Sequence, residues 1–264
     1  MSAFSTNNSY RKVAGGGWED SVSAYAGEAY DIVVDCKHKG VILVCGRDCE
    51  YVSANVYGYT DPEPKSKPSL EIKRGFDFVV VKSTIEVPDP LFPSEIEDIL
   101  MVVTVPKRRL ENLAIYCDKA NYLFCDRINT RFLKIFCDDG DVEVRKNVYA
   151  KRCQIVDHKK NIRMDGSCWY LEARNLTGNV TIDSKPLTNM KVDIWTESGK
   201  IDATFSDAKC SEDVELKTGS QNGTVKMKGA LQFGTHVVHG NIQSVNGDVS
   251  ILLANWSLKL HVDT

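Results

Sequence analysis

A chain of 264 residues is long enough to bury a sizeable core, as one larger all-β domain or as two smaller ones. Hydrophobic residues at 42% and charged residues at 26% exclude wholesale disorder. Lys+Arg 33 against Asp+Glu 36 leaves a net charge of -3 and a pI near 6.0, so no global basic field supports nucleic-acid binding as the main task. No run approaches the roughly 20 apolar residues of a membrane helix, and no membrane span is expected.

Residues 1–27 read as a disordered tail. Met1 to Gly17 lacks the apolar segment of a secretory signal. Arg11 and Lys12, with no acid before Glu19, give it a faint likeness to an organellar transit peptide, but Gly15-Gly16-Gly17 would break any helix there. Residues 28–106 read as an N-terminal β-strand or cap region with short antiparallel strands and long connections. Strand-like runs are Ile32-Val33-Val34, Val41 to Val44, Leu70-Glu71-Ile72, Phe76 to Val81 and Leu100 to Val105. Seven of the eight prolines fall between Pro62 and Pro106, where the missing amide donor marks Gly58 to Ser69 and the Pro88–Pro93 stretch as exposed loops.

From residue 107 to 264 the texture becomes periodic. Gly140-Asp-Val-Glu-Val144, Gly178-Asn-Val-Thr-Ile182, Gly199-Lys-Ile-Asp-Ala203, Gly223-Thr-Val-Lys-Met227, Gly240-Asn-Ile-Gln-Ser244 and Gly247-Asp-Val-Ser-Ile251 share one form, and Lys160-Asn-Ile-Arg-Met164 keeps it without the glycine. Starts at 140, 160, 178, 199, 223 and 247 give steps of 20, 18, 21, 24 and 24, the repeat length of stacked coils. A second alternating strand precedes each corner, as in Leu133 to Cys137 or Val192 to Trp195. Alternation points Val, Ile and Leu inward and Lys, Glu, Asp and Thr outward. Glycine at the corner would supply positive φ. No window has helical spacing, so helix is expected to be close to absent. Hairpins of a two-sheet sandwich could use the same strand pairs, and glycine-first corners permit type II′ turns. The regular period favours the coil. The expected fold is therefore all-β: a single-stranded β-helix, a solenoid whose right-handed winding follows from connection chirality alone, with an antiparallel N-terminal strand region.

Leu100-Met-Val-Val-Thr-Val-Pro106, the "L-x-x-L-x-I" strand Leu110 to Ile115, and units such as Leu133 to Val144 carry a resemblance. Over residues 28–264 the chain resembles the putative-adhesin β-helix domains, a domain family of unknown function frequent in bacteria and present as a single-domain protein in eukaryotes. The resemblance implies an adhesin-like, non-enzymatic module and hands over no catalytic residues.

Few residues suggest chemistry. Asp138-Asp139-Gly140-Asp141 could be a calcium or glycosidase-type carboxylate site, or a tight turn bonded to its own backbone. His236 and His239 lie three apart, and in a strand would face opposite sides. Lys107-Arg108-Arg109, with Lys146, Lys151-Arg152 and Lys159-Lys160 and the aromatics Tyr116, Tyr122, Phe124, Tyr149 and Trp169, could form a patch for single-stranded nucleic acid or an anionic glycan, or a solvated face whose Lys stems cover apolar surface. Nine cysteines, an odd number at irregular spacing, read as reduced thiols, most of them buried at strand ends. Cys45 and Cys49 form the only close pair and lack the second pair of a zinc site. No hydrolase elbow, phosphate loop or dinucleotide fingerprint occurs.

No catalytic, cofactor or metal residues are therefore assigned. The expectation is a non-catalytic scaffold or protein-interaction module in the cytoplasm or another reducing compartment, monomeric or dimeric, with an unknown protein partner. The N-terminal strands would cap one solenoid end and Asn255 to Leu260, with Trp256, the other. A glycan-binding or glycan-active β-helix is the alternative.

Overall fold

The computed structural model describes residues 9–13, 17–27, 30–59, 68–85, 99–108, 110–184, 191–209, 214–233, 237–254 and 257–263. The expected loops at Gly58–Ser69 and Pro88–Pro93 fall largely or wholly outside the described residues, as do Trp256, His236, Arg109 and Cys210.

The described elements are all strands: β1 (Ser9–Val13), β2 (Gly17–Tyr25), β3 (Asp31–Lys37), β4 (Val41–Arg47), β5 (Tyr51–Tyr59), β6 (Pro68–Arg74), β7 (Phe78–Ile85), β8 (Ile99–Pro106), β9 (Leu110–Cys117), β10 (Tyr122–Asp126), β11 (Asn129–Cys137), β12 (Asp141–Val144), β13 (Tyr149–Asp157), β14 (Ile162–Met164), β15 (Ser167–Asn175), β16 (Val180–Ser184), β17 (Lys191–Thr196), β18 (Ile201–Lys209), β19 (Val214–Ser220), β20 (Val225–Phe233), β21 (Val237–Ser244), β22 (Val249–Ala254) and β23 (Ser257–Asp263). From β9 onward the chain alternates between two parallel sheets. Each odd-numbered strand joins one sheet and the next even-numbered strand joins the other, one turn at a time. The result is a β-solenoid, in which the hairpin alternative has no place: β14 pairs β12 and β16, both parallel, and not its sequence neighbour β13.

Alternation in sequence becomes a column in space. Val142 registers with Ile162, Ile162 with Val180 and Val180 with Ile201, and all four are at most 1% exposed. The facing sheet stacks Ile115, Ile135, Ile155, Ala173 and Ile194 in the same way. Each such side chain contributes about 1.5–3 kcal/mol on burial. A turn adds only about 4.8 Å of axial rise, so every inward residue packs on the one above and the one below.

The first third departs from the linear reading. β5 and β6 make antiparallel pairs, as expected of residues 28–106, and β1 and β2, within the expected tail, are antiparallel as well. The same third also supplies two parallel turns. β3 and β4 stack on β9 and β10, while β7 and β8 stack on the opposite side of β3 and β4. β8 thus lies between β4 and β5 in the sheet, although β5 directly follows β4 in sequence. Its near-continuous apolar run, Ile99 to Val105, suits a strand covered on both sides. β1 and β2 are not a tail: β2 pairs residue by residue with β5, and Val22 is 1% exposed. Alternation of Val22 and Ala24 with polar residues marks the segment as a strand that short-range composition disguised. At the other end, β23 runs parallel to β21 as a further strand of its sheet.

The corner glycines serve close approach. A Cβ on Gly178 would overlap the Lys160 carbonyl oxygen, and one on Gly223 the Gly199 carbonyl oxygen. Only Gly40 among the corner glycines has a left-handed φ, at 126°. The positive-φ expectation for the repeat glycines is replaced by stacking clearance. Gly240 is no corner at all; it lies inside β21, registered with Leu216.

Candidate functional site

The candidate acids and thiols converge on the corner that follows each strand of the β9–β11–β13 sheet. Cys36, Cys117, Cys137, Asp157, Asn175, Thr196, Ser220 and Ser244 stand one above another in register. Four of these eight reach back to a backbone carbonyl of the preceding turn. Thr196 Oγ1 donates to Gly178 O at 3.1 Å, Ser220 Oγ to Gly199 O at 3.0 Å, Ser244 Oγ to Gly223 O at 2.8 Å, and Asn175 Nδ2 to Lys160 O. Short polar side chains here satisfy carbonyls that the turn leaves unpaired.

Cys36, Cys117 and Cys137 continue this ladder into the apolar turns, and the eight described cysteines are all free. A hydrogen bond to Cys36, together with burial, pushes the Cys117 thiol up, and burial does the same to Cys125 and Cys153. Burial takes Cys168 up to about 12. Such thiols stay protonated and inert at neutral pH. Cys45 is buried with its Sγ toward Gly46 O, whereas Cys49 is partly exposed with its Sγ 3.2 Å from Tyr51 O, so the pair shares no ligand.

The acidic corner is a set of ties between turns. Asp138 meets His158 at 2.7 Å, Asp139 meets Lys159 at 3.5 Å, and Asp141 Oδ1 accepts from the Asn161 amide and side chain at 3.0 and 2.9 Å. The His158 hydrogen bond lowers the Asp138 carboxyl below its ordinary value. Asn161 repeats the device toward Asn179, and Asn179 toward Lys200. Among the described residues no cluster of three His, Cys, Asp or Glu side chains is placed to hold a metal. His239 is exposed on β21.

The basic residues singled out in sequence do not form one patch. Lys107 and Arg108 lie between β8 and β9 and Lys146 between β12 and β13, whereas Lys159 and Lys160 occupy the opposite corner. The aromatics divide likewise: Tyr116 stacks on Phe136 at 5.3 Å on one face, and Tyr122 on Phe124 at 5.9 Å on the other. Arg152, Arg174, Lys191 and Lys217 enter an ion-pair ladder with Glu172, Asp193 and Glu215 that ties neighbouring turns together.

Lys107 and Arg108 instead meet residues that sequence reading did not single out. The end of β2, the β4–β5 turn, the β6–β7 turn and the β8–β9 connection converge on one corner of the first turns. They enclose a cleft of about 610 Å³ lined by Tyr25, Gly27, Glu50, Arg74, Gly75, Phe76 and Arg108. A second hollow of about 370 Å³, lined by Arg47, Asp48, Cys49, Glu50, Lys107 and Arg108, adjoins it through Glu50 and Arg108. Arg74 lies 5.5 Å over the Tyr25 ring and Arg108 5.8 Å over the Tyr30 ring. Phe76 sits in the β6–β7 turn at 94% exposure. The one sequence signal for it is a large apolar residue inside a Gly75-Phe76-Asp77 turn.

Two parallel sheets wound from successive short turns, with antiparallel strands at one end and a cleft lined by arginines and aromatics beside them, define a β-solenoid with a surface cleft at one corner. The chain belongs to the Toastrack DUF4097 family, whose model matches residues 53–261. This agrees with the resemblance to the putative-adhesin domains carried by Leu100–Pro106 and the repeats. Comparison with curated proteins found no match. Solved structures to which the chain is similar include the following three. One is a putative adhesin from Bacteroides fragilis, at 11% identity and TM-score 0.43 over 92% of this chain and 97% of that one. Another is a putative cell adhesion protein from Clostridium sporogenes, at 9% identity and TM-score 0.41 over 89% and 98%. The third is a putative lipid binding protein from Parabacteroides distasonis, at 11% identity and TM-score 0.44 over 95% and 97%.

Proposed function

We propose that the protein is a non-catalytic, adhesin-like scaffold that binds a protein partner, acting as a monomer or dimer in a reducing compartment. The observation that carries this reading is the cleft at Tyr25, Glu50, Arg74, Phe76 and Arg108, where four separate segments bring charged groups and exposed aromatic surface together on a rigid frame. Aromatic residues and arginine are the side chains that most often anchor protein interfaces. The free, mostly buried thiols support the reducing compartment. Cross-linking and affinity purification of the full chain from its native cells tests the proposal. A protein recovered in stoichiometric amount and cross-linked to the chain supports it; recovery of none above a mock purification, with heat released on titration of an anionic polysaccharide, overturns it in favour of glycan binding.

A further inference from the structure

We propose that the cleft takes an acidic peptide segment bearing an aromatic or aliphatic anchor. This rests on the reading of the protein as a binding scaffold and names the partner's chemistry. Arg47, Arg74, Lys107 and Arg108 face the two hollows, against the carboxylates of Asp48 and Glu50. Among the described residues that line the two hollows, four cations stand against two carboxylates, in a chain whose overall net charge is -3. Lys107 and Asp48 are 3.9 Å apart and both well exposed, so solvent screens that pair.

Apolar recognition is built into the same place. Phe76 at 94% exposure, with Tyr25 at 44% and Tyr30 at 51%, sets large apolar side chains facing water beside arginines at this corner. Leaving Phe76 in water forgoes about 1.5–3 kcal/mol of burial that a bound side chain could recover. A uniform polyanion fits less well, because Glu50 lies in both hollows and would oppose part of its charge. A peptide can place carboxylates against Arg74 and Arg108 and an apolar residue against Phe76, leaving Glu50 beside an uncharged position.

Fluorescence anisotropy of the full-length protein tests this with a labelled twelve-residue Glu/Asp-rich peptide containing a central Leu-Phe. Controls are the same peptide with Lys for each acid and a labelled heparin oligosaccharide. The acidic peptide should bind with an affinity that falls as salt rises, and the basic one should not. Arg108→Glu and Arg74→Glu should each weaken binding about tenfold, and Phe76→Ser about fivefold. Lys226→Glu, on the outer face of β20, should leave binding unchanged. Circular dichroism checks that each variant keeps its β spectrum. Acidic-peptide binding that survives both arginine reversals, or heparin binding that is tighter and abolished by them, overturns the proposal. A partner that still co-purifies with the Arg74→Glu/Arg108→Glu chain would overturn the cleft while leaving the scaffold reading intact.

Discussion

Asp157 and Asn175 occupy the same corner position on adjacent turns, registered across β13 and β15, yet the Asn175 amide can donate a hydrogen bond and an ionised Asp157 carboxylate cannot. Asn175 Oδ1 accepts from Gly178 N at 2.6 Å while its Nδ2 donates to the Lys160 carbonyl. Asp157 Oδ1 accepts from Lys159 N and Lys160 N, both at 2.8 Å, but its Oδ2 is buried without a hydrogen-bond partner. The Cys137 thiol beside it is turned to Gly140 O at 3.6 Å. Burial pushes the Asp157 carboxyl above its ordinary value, against the pull of the two backbone amides.

Asp157→Asn should therefore stabilise the protein at pH 7. The amide keeps the acceptor and adds the donor that Asn175 uses one turn later. A gain of about 1–2 kcal/mol, or a Tm rise of a few degrees, is expected in thermal melts. The pH dependence has a definite sign. A carboxyl whose folded pKa exceeds its unfolded value binds its proton more tightly when folded, so its contribution favours the fold at low pH and is lost as pH rises from the unfolded value through the folded one. Comparing wild type with Asp157→Asn across pH 4 to 8 isolates this contribution, and the gain from the substitution should be largest at the neutral end. An Asp157→Asn protein less stable than wild type at pH 7 would contradict the assignment.

Clearance at the corners predicts the cost of one methyl group. Gly178→Ala would drive its Cβ into the Lys160 carbonyl and disturb the Thr196 bond to Gly178 O. Urea unfolding should show a loss of about 1–3 kcal/mol. A neutral substitution would mean the turns are not in contact there.

Column packing predicts an inside–outside contrast at neighbouring residues. Ile162 is fully buried between Val142 and Val180, so Ile162→Ala should cost about 2–5 kcal/mol. Arg163, exposed and paired only along its own turn with Asp165 at 3.0 Å, should tolerate Ala within about 0.5 kcal/mol. Equal costs at the two sites would speak against the alternation.

Thiol chemistry supplies an independent check of burial. Cys36, Cys117, Cys125, Cys137, Cys153 and Cys168 are buried, and Cys49 is partly exposed. Brief alkylation of the native protein at pH 7.5, mapped by mass spectrometry, should modify Cys49 well ahead of those six. Rapid labelling of Cys137 or Cys153 in the native state would place those strand ends in solvent.

The solenoid was legible because its evidence is local. Val142, Ile162, Val180 and Ile201 each sit two residues after a corner, and the steps between them repeat. What was hidden depends on pairings between distant segments. Nothing near Ile32 or Val79 says that β3 and β7 belong to turns stacked ahead of β9, because a parallel partner leaves no mark on its neighbours in sequence. Tyr25, Arg74, Phe76 and Arg108 meet only through that rearranged order, so the cleft could not be assembled from a basic run at Lys107–Arg109 alone. Residues 9–25 escaped for a related reason: their strand character is stabilised by β5, some 30 positions away.

Amide-to-amide NOEs on deuterated protein test the stacked-turn architecture most directly. Parallel turns predict cross-strand contacts that link Val142 to Ile162, Ile162 to Val180 and Val180 to Ile201. Contacts joining Ile155 or Val156 of β13 to Ile162 or Arg163 of β14, as in a hairpin folded about residues 157–161, would contradict it.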